Sequence, residues 1–300
     1  MTDAEHSPLT ICVGAARAGT STLYSLMKRH PAVGVSNVKE TEFFWYERHA
    51  KGPVYYLKKY FPDRSRKSML FEASPVYMYK SVCMERICAQ FPHARIVVML
   101  RNPADRAFSD YLHIASLVGY DETFERLCEG EFERLREKDG ELQFKSLDRS
   151  RYARQIRNIL RHFPREQVYF VVFEEFACDQ QGVFSKMQAW LGLPLVQVEN
   201  VKSNVARRVR NVTISRLLYH SRWRGLRQGI SKITRGVGFN LLNAAVMRWN
   251  RVPFAEDEKP KLGSDLRSRL LNLFEPEIRD VEALTGLDLS HWRDKGVEGL

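Results

Sequence analysis

Two glycines, Gly14 and Gly19, are five positions apart at the end of an apolar run that begins at Leu9. This spacing is that of the phosphate-binding loop G-x-x-x-x-G-K-[ST], in which backbone N–H groups at a helix N-terminus hold phosphate oxygens. Thr20 stands where that loop carries its lysine, and a positive charge comes earlier, at Arg17. The backbone donors and the helix dipole survive this change. The sequence therefore predicts a loop that binds an oxyanion.

The missing lysine argues against a nucleoside triphosphate bound with magnesium, because the lysine of that chemistry reaches the β and γ phosphates. The apolar run Ala94–Leu100 is followed by Arg101, where a metal-dependent enzyme needs a carboxylate. The run Val168–Phe173 is followed by Glu174, which could supply one. A P-loop kinase that uses ATP and magnesium is thus a first alternative. The plain structural interpretation of the glycines is a tight turn without a ligand.

Four continuous apolar runs predict strands that are covered on both faces, as in a parallel sheet. They are Leu9–Ala16, Ser68–Phe71, Ala94–Leu100 and Val168–Phe173. Helical patterns lie at Thr20–Arg29, Val54–Tyr60, Ser81–Gln90, Asp105–Leu117, Phe124–Lys138, Arg149–His162, Gly182–Leu191 and Ser264–Leu284. This alternation predicts an α/β sandwich with a helical C-terminal third, in which Pro276 kinks or breaks the last helix. One domain is expected over residues 1–300, with the motifs in a core at 9–193 and a basic helical part at 194–300.

The composition is that of a globular protein. The chain has 300 residues, of which 44% are hydrophobic and 28% charged, and this excludes disordered, collagen-like and disulfide-scaffold classes. An acidic N-terminus and a short apolar run argue against a signal peptide, and no run of about 18 apolar residues predicts a membrane span. The five cysteines are scattered without a Cys-x-x-Cys pair. We expect reduced thiols, no zinc site and a cytoplasmic protein.

Positive charge is concentrated in residues 201–251, which contain twelve Lys or Arg and no Asp or Glu, within a chain of net charge +11. Such a field attracts nucleic acid, anionic lipid or an acidic small molecule. A solvated helical face is the plain structural interpretation. A non-catalytic protein that binds polyanions or a membrane surface is the second alternative function.

Three further segments complete the pattern that the loop begins: "HPAVGVSNVKETEFF" after the first helix, "FEASPVYMY" at the next strand and "VVMLRNPADRAFSDYLH" from Val97. With the loop and the ending "LTGLDLSHW", they resemble the PAPS-dependent sulfotransferase superfamily, above all its bacterial and heparan-sulfate-type carbohydrate branch. The resemblance covers roughly Leu9 to Leu193. It implies a P-loop NTPase-like three-layer sandwich. It also implies metal-free transfer of a sulfuryl group from 3′-phosphoadenosine 5′-phosphosulfate (PAPS) to a hydroxyl, leaving 3′,5′-ADP.

The resemblance accounts for the missing lysine, since PAPS has no triphosphate. Arg17 takes the place of the family's usual loop lysine. Its guanidinium group is a planar fork of donors, whereas the ammonium group of a lysine is a compact point charge. The other residues that the resemblance assigns to the 5′-phosphosulfate are Ala18, Gly19, Thr20, Ser21 and Thr22. Arg101 and Ser109 match the family's 3′-phosphate pair, and a forked cation, a hydroxyl and a helix dipole suit a dianion. Arg208, in "SNVARRVRN", is assigned to a loop over the adenosine, and Arg207 fits equally well on sequence alone.

The resemblance makes Glu40, in "KETEFF", the general base that deprotonates the acceptor hydroxyl. Lys39 is expected to assist by lending charge to the leaving group or by keeping Glu40 ionised. Two positions depart from the family: Glu42 stands where a histidine is frequent, and Ala73 stands where the heparan-sulfate enzymes carry a lysine. The positive charge of that lysine must then be supplied by Arg17 and Lys39, or by a C-terminal arginine. Specificity for heparan sulfate does not carry over.

The expected acceptor is a hydroxyl of a glycan, a glycolipid or a natural product, and nucleic acid is not an expected partner. The basic segment 201–251 leaves open a peripheral contact at the inner membrane surface. A chelator separates the alternatives, because it abolishes a magnesium-dependent kinase and leaves sulfuryl transfer intact. Salt-dependent polyanion binding without affinity for 3′,5′-ADP would identify the non-catalytic alternative.

Overall fold

The computed structural model describes residues 8–118, 122–133, 144–201, 207–211, 245–246, 249–254 and 260–294. The strands are β1 (Leu9–Gly14), β2 (Val33–Val35), β3 (Met69–Ala73), β4 (Arg95–Leu100), β5 (Val168–Val172), β6 (Arg207–Val209) and β7 (Arg251–Pro253). The first five form one parallel sheet in the order β2-β3-β1-β4-β5. This confirms the predicted α/β sandwich with its central parallel sheet.

The helices pack around this sheet as the outer layers of the sandwich. They are α1 (Thr20–Arg29), α2 (Gly52–Tyr60), α3 (Val76–Tyr79), α4 (Ser81–Gln90), α5 (Pro103–Val118), α6 (Phe124–Glu129), α7 (Lys145–Asp148), α8 (Tyr152–His162), α9 (Phe173–Cys178), α10 (Gln180–Leu191) and α11 (Ser264–Thr285). The predicted helix at Phe124–Lys138 ends at Glu129, and its residues 134–138 lie outside the described part. Within that described part, no helix is long and apolar enough to span a bilayer.

The central strands have continuous apolar sequences because their side chains are buried on both faces of the sheet. Every residue of β1 and β3 is buried, and so is every residue of β4 after Arg95. Strands covered on both faces need apolar residues at successive positions instead of alternating ones, as these runs show. The sequence did not predict β2, because three residues are too few for a strand pattern.

The strand order determines where a ligand can bind. From β1 the chain passes to β2 and then to β3, which lie on one side of β1, whereas β4 and β5 lie on its other side. The loops after β1 and β4 therefore diverge at the same edge of the sheet, and open α/β sheets bind ligands at such a reversal of strand order. The loop after β1 contains Arg17, and the loop after β4 begins with Arg101. The fold thus brings the two predicted cations to one edge.

Two predictions concern the C-terminal part. Of the kink or break predicted at Pro276, the break is excluded, because helix α11 is continuous through this residue although proline removes one helical hydrogen bond. Its buried apolar side, which includes Leu270, Phe274 and Ile278, packs against α5 and α8 and holds the helix together. Secondly, β6 and β7 form an antiparallel pair in a region expected to be helical. Three-residue strands rich in arginine carry no recognisable strand pattern.

Candidate active site

Two close contacts explain why the loop after β1 begins and ends with glycine. A Cβ on Gly14 would lie 2.6 Å from the Cβ of Met78 in α3, which is far inside van der Waals contact. Gly19 has a φ of 88°, and a Cβ there would lie 3.0 Å from the ring of Phe173. Positive φ is readily adopted only by glycine. Tight packing at both ends of the loop therefore requires glycine at positions 14 and 19.

The loop leads into α1 in a conformation that presents backbone donors. The amide of Ala15 donates to the carbonyl of Met99 in β4 at 2.7 Å, which fixes the loop to the sheet. The first helical bond of α1 runs from the Leu23 amide to the Gly19 carbonyl. The amides of Thr20 and Ser21 therefore lie in the first turn, where a helix provides no intrahelical acceptor and attracts anions.

Three predicted site residues, Arg17, Ser109 and Arg101, meet beside this loop. The Nε of Arg17 donates to the Oγ of Ser109 at 3.3 Å. The Nη1 of Arg101 donates to the carbonyl of Arg17, also at 3.3 Å. Arg101 lies over the ring of Phe173 at 4.5 Å, a cation–π contact that fixes its plane. The residues assigned to the two ends of the nucleotide thus lie in one cluster.

The cluster is strongly electropositive and poorly solvated. Burial is the largest influence on the pKa of Arg17 and lowers it, Asp110 opposes this, and the charge of Arg101 lowers the pKa further. Burial also lowers the pKa of Arg101, although the charge of Asp105 opposes it. Both guanidinium groups remain protonated, since arginine does not lose its proton in proteins. An anion placed between them would relieve their mutual repulsion.

Arg106, in α5, holds the loop after β1 in place through hydrogen bonds of its buried side chain. Its side chain is fully buried, its Nη1 donates to the carbonyl of Ala16 at 3.3 Å, and its Nε donates to Ser150 at 2.7 Å. A further donation goes to the carbonyl of Ser146, and Asp110 lies 3.7 Å away. Buried arginine is stable only when its donors are satisfied in this way. Arg106 is therefore structural, and it connects the loop to the segment around α7.

Glu40 and Lys39 lie in the segment between β2 and α2 and form an ion pair with each other. The side chain of Glu40 is 48% exposed, so a substrate can reach its carboxylate. Its backbone amide donates to the carbonyl of Ala73 at the end of β3, at 3.0 Å. The charge of Glu40 also acts on the pKa of Arg17, after the larger effects of burial and neighbouring charges. The proposed base and the loop cation thus share one electrostatic environment.

The backbone of this segment is unusual at both glutamates. Glu40 has a φ of 63° and Glu42 a φ of 49°, and Arg17 in the opposing loop has a φ of 70°. Non-glycine residues rarely adopt this left-handed region, and such strain concentrates at functional sites. Burial raises the pKa of the Glu42 carboxyl, the charge of Glu40 adds to this effect, and Arg48 opposes it. Glu42 therefore occupies the histidine position with a carboxyl that is partly shielded from water.

Glu174, the candidate magnesium ligand of the kinase alternative, has a different use. Its Oε1 accepts the amide of Asn102 at 2.9 Å, and its Oε2 accepts the indole Nε1–H of Trp292 at 3.0 Å. Asn102 in turn donates to the carbonyl of Trp292 at 3.0 Å. Both oxygens of Glu174 thus join the loop after β4 to the 3₁₀ turn Ser290–Arg293. This arrangement argues against a carboxylate placed for an ATP-bound metal.

Several predicted residues are located only in part. The backbones of Arg207 and Arg208 lie in β6, which packs beside α5, the helix of Ser109, but their side chains are outside the described structure. Most of the basic segment 201–251 also lies outside it. The sequence did not reveal the contact of Arg106 with the carbonyl of Ala16 or the contact of Trp292 with Glu174. Neither leaves a local pattern, because their partners are distant in the chain.

Comparison with known proteins gives a consistent result. A family model described as "Sulfotransferase domain" matches residues 8–232. A sulfotransferase of known crystal structure from Alicyclobacillus acidocaldarius is 26% identical, with a TM-score of 0.65, and the match covers 96% of this chain and 100% of that chain. Among curated proteins, the bifunctional heparan sulfate N-deacetylase/N-sulfotransferase 1 of Caenorhabditis briggsae is 26% identical over 198 residues, covering 62% of this chain and 23% of that protein.

A second curated relative has a shorter chain. Heparan sulfate glucosamine 3-O-sulfotransferase 3B1 of Homo sapiens is 28% identical over 186 residues, covering 62% of this chain and 46% of that protein. The chain therefore spans less than half the length of each of these curated relatives.

Proposed function

The chain belongs to the sulfotransferase domain family, and on that premise we propose that it moves a sulfuryl group from PAPS to an acceptor hydroxyl. The products are the sulfated acceptor and 3′,5′-ADP. The proposed acceptor is a carbohydrate or another small hydroxyl compound, and the reaction needs no metal ion.

The observation that carries this proposal is the contact between Arg17, Arg101 and Ser109. Two guanidinium groups and a hydroxyl converge beside a loop that presents amide donors. PAPS has a phosphate at the 3′ position and a phosphosulfate at the 5′ position, so its recognition requires two neighbouring anion sites. Arg101 and Ser109 hold the 3′-phosphate, whereas Arg17 and the loop amides hold the 5′-phosphosulfate. Charge-assisted hydrogen bonds of this kind are about twice as strong as neutral ones.

In the proposed step, the acceptor oxygen attacks sulfur in line with the bond from sulfur to the phosphate oxygen. The acceptor O–H proton passes to the carboxylate of Glu40 while the new oxygen–sulfur bond forms. The old bond breaks, and its electron pair stays on the 5′-phosphate of 3′,5′-ADP. Arg17 stabilises the charge that develops there, and Lys39 forms an ion pair with Glu40. The protein thus contributes positioning and preset positive charge, which are the main terms in such transfers.

A glycan acceptor is supported by the surface next to Glu42. Tyr46 is 46% exposed and stacks on Trp45 at 4.8 Å, and the Nζ of Lys80 lies 5.2 Å from the ring of Trp45. Aromatic rings with a polar edge bind the apolar faces of sugars, and a cation beside them suits an acidic group. Two curated relatives are named for sulfation of heparan sulfate, which supports the same acceptor class.

The test is transfer of ³⁵S from labelled PAPS to a panel of acceptors: heparan sulfate oligosaccharides, a glycolipid extract and an extract of the source organism. We expect one labelled product class, formed equally well with and without a chelator. Calorimetry with 3′,5′-ADP should show saturable binding that does not require magnesium. Activity with ATP and magnesium, or loss of transfer on chelation, would contradict the proposal.

A further inference from the structure

A fully buried carboxylate, Glu72, lies in β3 beside the proposed site. Its residue is 0% exposed and pairs with Ile11 of β1 in the sheet register. Burial raises the pKa of Glu72, and hydrogen bonds from Ser74 and then Tyr56 oppose this effect. A charged group in this position must be surrounded by donors to be stable.

Four hydroxyl groups supply those donors. The Oε1 of Glu72 accepts from Thr41 at 2.7 Å, from Ser74 at 2.5 Å and from Tyr77 at 2.9 Å. The Oε2 of Glu72 accepts from the hydroxyl of Tyr56. Each donor comes from a different place in the chain: the segment after β2, helix α2, the end of β3 and helix α3. A carboxylate accepts all four at once, whereas an amide in its place would turn an N–H group towards at least one hydroxyl.

The three hydroxyls on Oε1 also accept hydrogen bonds, and their donors are three consecutive backbone amides. The amide of Glu42 donates to Ser74 Oγ at 3.2 Å. The amide of Phe43 donates to Thr41 Oγ1 at 3.2 Å. The amide of Phe44 donates to the Tyr77 hydroxyl at 3.4 Å. Three relays thus run from backbone to hydroxyl to one carboxylate oxygen. The fourth hydroxyl, on Tyr56, has no such bond to this segment among the described contacts.

These relays begin two residues after the proposed base. The amide of Glu40 is held separately by the carbonyl of Ala73, the residue next to Glu72. Glu40 and Glu42, the two residues whose amides are held in these ways, both adopt left-handed backbone conformations. Such conformations persist only where surrounding contacts impose them.

We propose that Glu72 is the positioning residue of Glu40: through the three relays on its Oε1, it fixes residues 42–44 and thereby directs the Glu40 carboxylate to the acceptor hydroxyl. The inference rests on the proposed function for the role of Glu40. Glu72 itself touches no substrate. Loss of a relay should therefore lower the rate of transfer and leave the nucleotide site, on the other side of β1, unchanged.

The test compares two variants that each remove one hydroxyl from the same carboxylate. Ser74→Ala breaks a relay to the backbone amide of Glu42. Tyr56→Phe removes a donor that serves Glu72 alone, and it is the matched control. This pair avoids Glu72→Gln, which could prevent folding because it places an amide among four buried donors. Amide hydrogen exchange of a peptide covering residues 39–46 reports on the segment without any acceptor. Calorimetry with 3′,5′-ADP and transfer of ³⁵S from PAPS report on function.

For Ser74→Ala we expect exchange at residues 42–44 to be at least about tenfold faster and kcat to be at least about tenfold lower, a floor set beneath the typical general-base contribution of about 10²–10⁴-fold. The affinity for 3′,5′-ADP should change less than about twofold. Tyr56→Phe should change kcat less than about threefold. Equal kcat losses in the two variants, or unchanged exchange in Ser74→Ala, would overturn the inference. If the wild type transfers sulfate to no acceptor, the proposed function fails, and the exchange comparison still decides whether the relay through Ser74 to Glu72 fixes the segment.

Discussion

Arg17 and Ser109 are 92 positions apart in the chain, yet the guanidinium Nε of one donates to the hydroxyl of the other at 3.3 Å. The contact bridges the loop after β1 and the helix after β4. It joins the residues that we assign to the two phosphorylated ends of one nucleotide.

Substitution of Arg17 tests whether its forked geometry matters as well as its charge. Arg17→Ala should lower kcat by about 10²–10³-fold, the usual effect of removing a donor that stabilises developing charge. Arg17→Lys keeps a cation but loses the planar fork that reaches Ser109, so we expect an intermediate loss of about tenfold. The measurement is kcat for ³⁵S transfer at saturating PAPS. Equal losses of kcat in the two variants would show that a positive charge at position 17 does not sustain transfer without the planar guanidinium group.

Ser109→Ala and Arg101→Ala should selectively weaken recognition of the 3′-phosphate. The wild type should bind 3′,5′-ADP more tightly than 5′-AMP, and each substitution should reduce that preference by about tenfold or more, the value of one charge-assisted hydrogen bond. Calorimetry with both nucleotides measures the ratio. Ser116→Ala, on the same helix, is the control and should leave the ratio unchanged. If Ser109→Ala weakens both nucleotides equally, its assignment to the 3′-phosphate is wrong.

Glu40→Gln keeps the shape of the side chain and removes its ability to take a proton. We expect kcat to fall at least about tenfold, with the affinity for 3′,5′-ADP unchanged. Glu47→Gln, an exposed glutamate in the adjoining 3₁₀ turn, is the matched control. Turnover by Glu40→Gln that equals the wild type would remove Glu40 from the mechanism.

Trp292→Phe should destabilise the protein, because it deprives Glu174 Oε2 of the indole donor at 3.0 Å. A hydrogen bond to a charged group contributes about 1.5–3 kcal/mol, and we expect a loss of that size in the free energy of unfolding. Urea denaturation measures it. Trp190→Phe is the comparison, because the ring of Trp190 packs on Tyr169 at 5.1 Å without a described hydrogen bond from its indole nitrogen. Equal losses in the two variants would mean that the bond to Glu174 contributes little.

Ion pairs at Arg293 should make stability depend on pH. Hydrogen bonds from Arg293 lower the pKa of Glu282 below its usual 4.5. Burial raises the pKa of Glu275, but bonds from Arg293 and Arg279 outweigh it and leave the pKa lowered. A lowered pKa stabilises the folded state above pH 4.5, and this contribution disappears as the pH falls through the folded-state pKa. Arg293→Gln should therefore lose more stability at pH 7 than at pH 3.5 in urea denaturation. An equal loss at both pH values would contradict the assignment.

The sequence predicted the features that depend on neighbouring residues. Continuous apolar runs predicted β1, β3, β4 and β5, whereas Arg17 and Arg101 were assigned to one nucleotide through the resemblance of the motifs around them. Ser109 was likewise assigned through the resemblance, from its place eight residues after Arg101 in the family's motif. The strand predictions are confirmed because strands covered on both faces need apolar residues at successive positions.

The features that escaped prediction depend on distant partners. Asp105 pairs with Arg267 of α11 at 3.2 Å, across 162 positions, and no local pattern indicates this. The segment around Ala73 was noted only for a missing cation. Its neighbour Glu72 gains its role from hydroxyls on three other elements, which depend on strand register and packing. A buried glutamate inside an otherwise apolar strand was the one signal of that role.

The link between Trp292 and Asn102 has a consequence for the boundaries of the folding unit. Residues 8–232 match the family, but the loop that begins at Arg101 is secured by a tryptophan sixty positions beyond that limit. A fragment cut at residue 232 would keep every motif that we assign to the nucleotide and yet leave Glu174 without its indole donor. The family match thus covers the proposed site residues, whereas the hydrogen bonds that secure the loop after β4 extend to the 3₁₀ turn Ser290–Arg293.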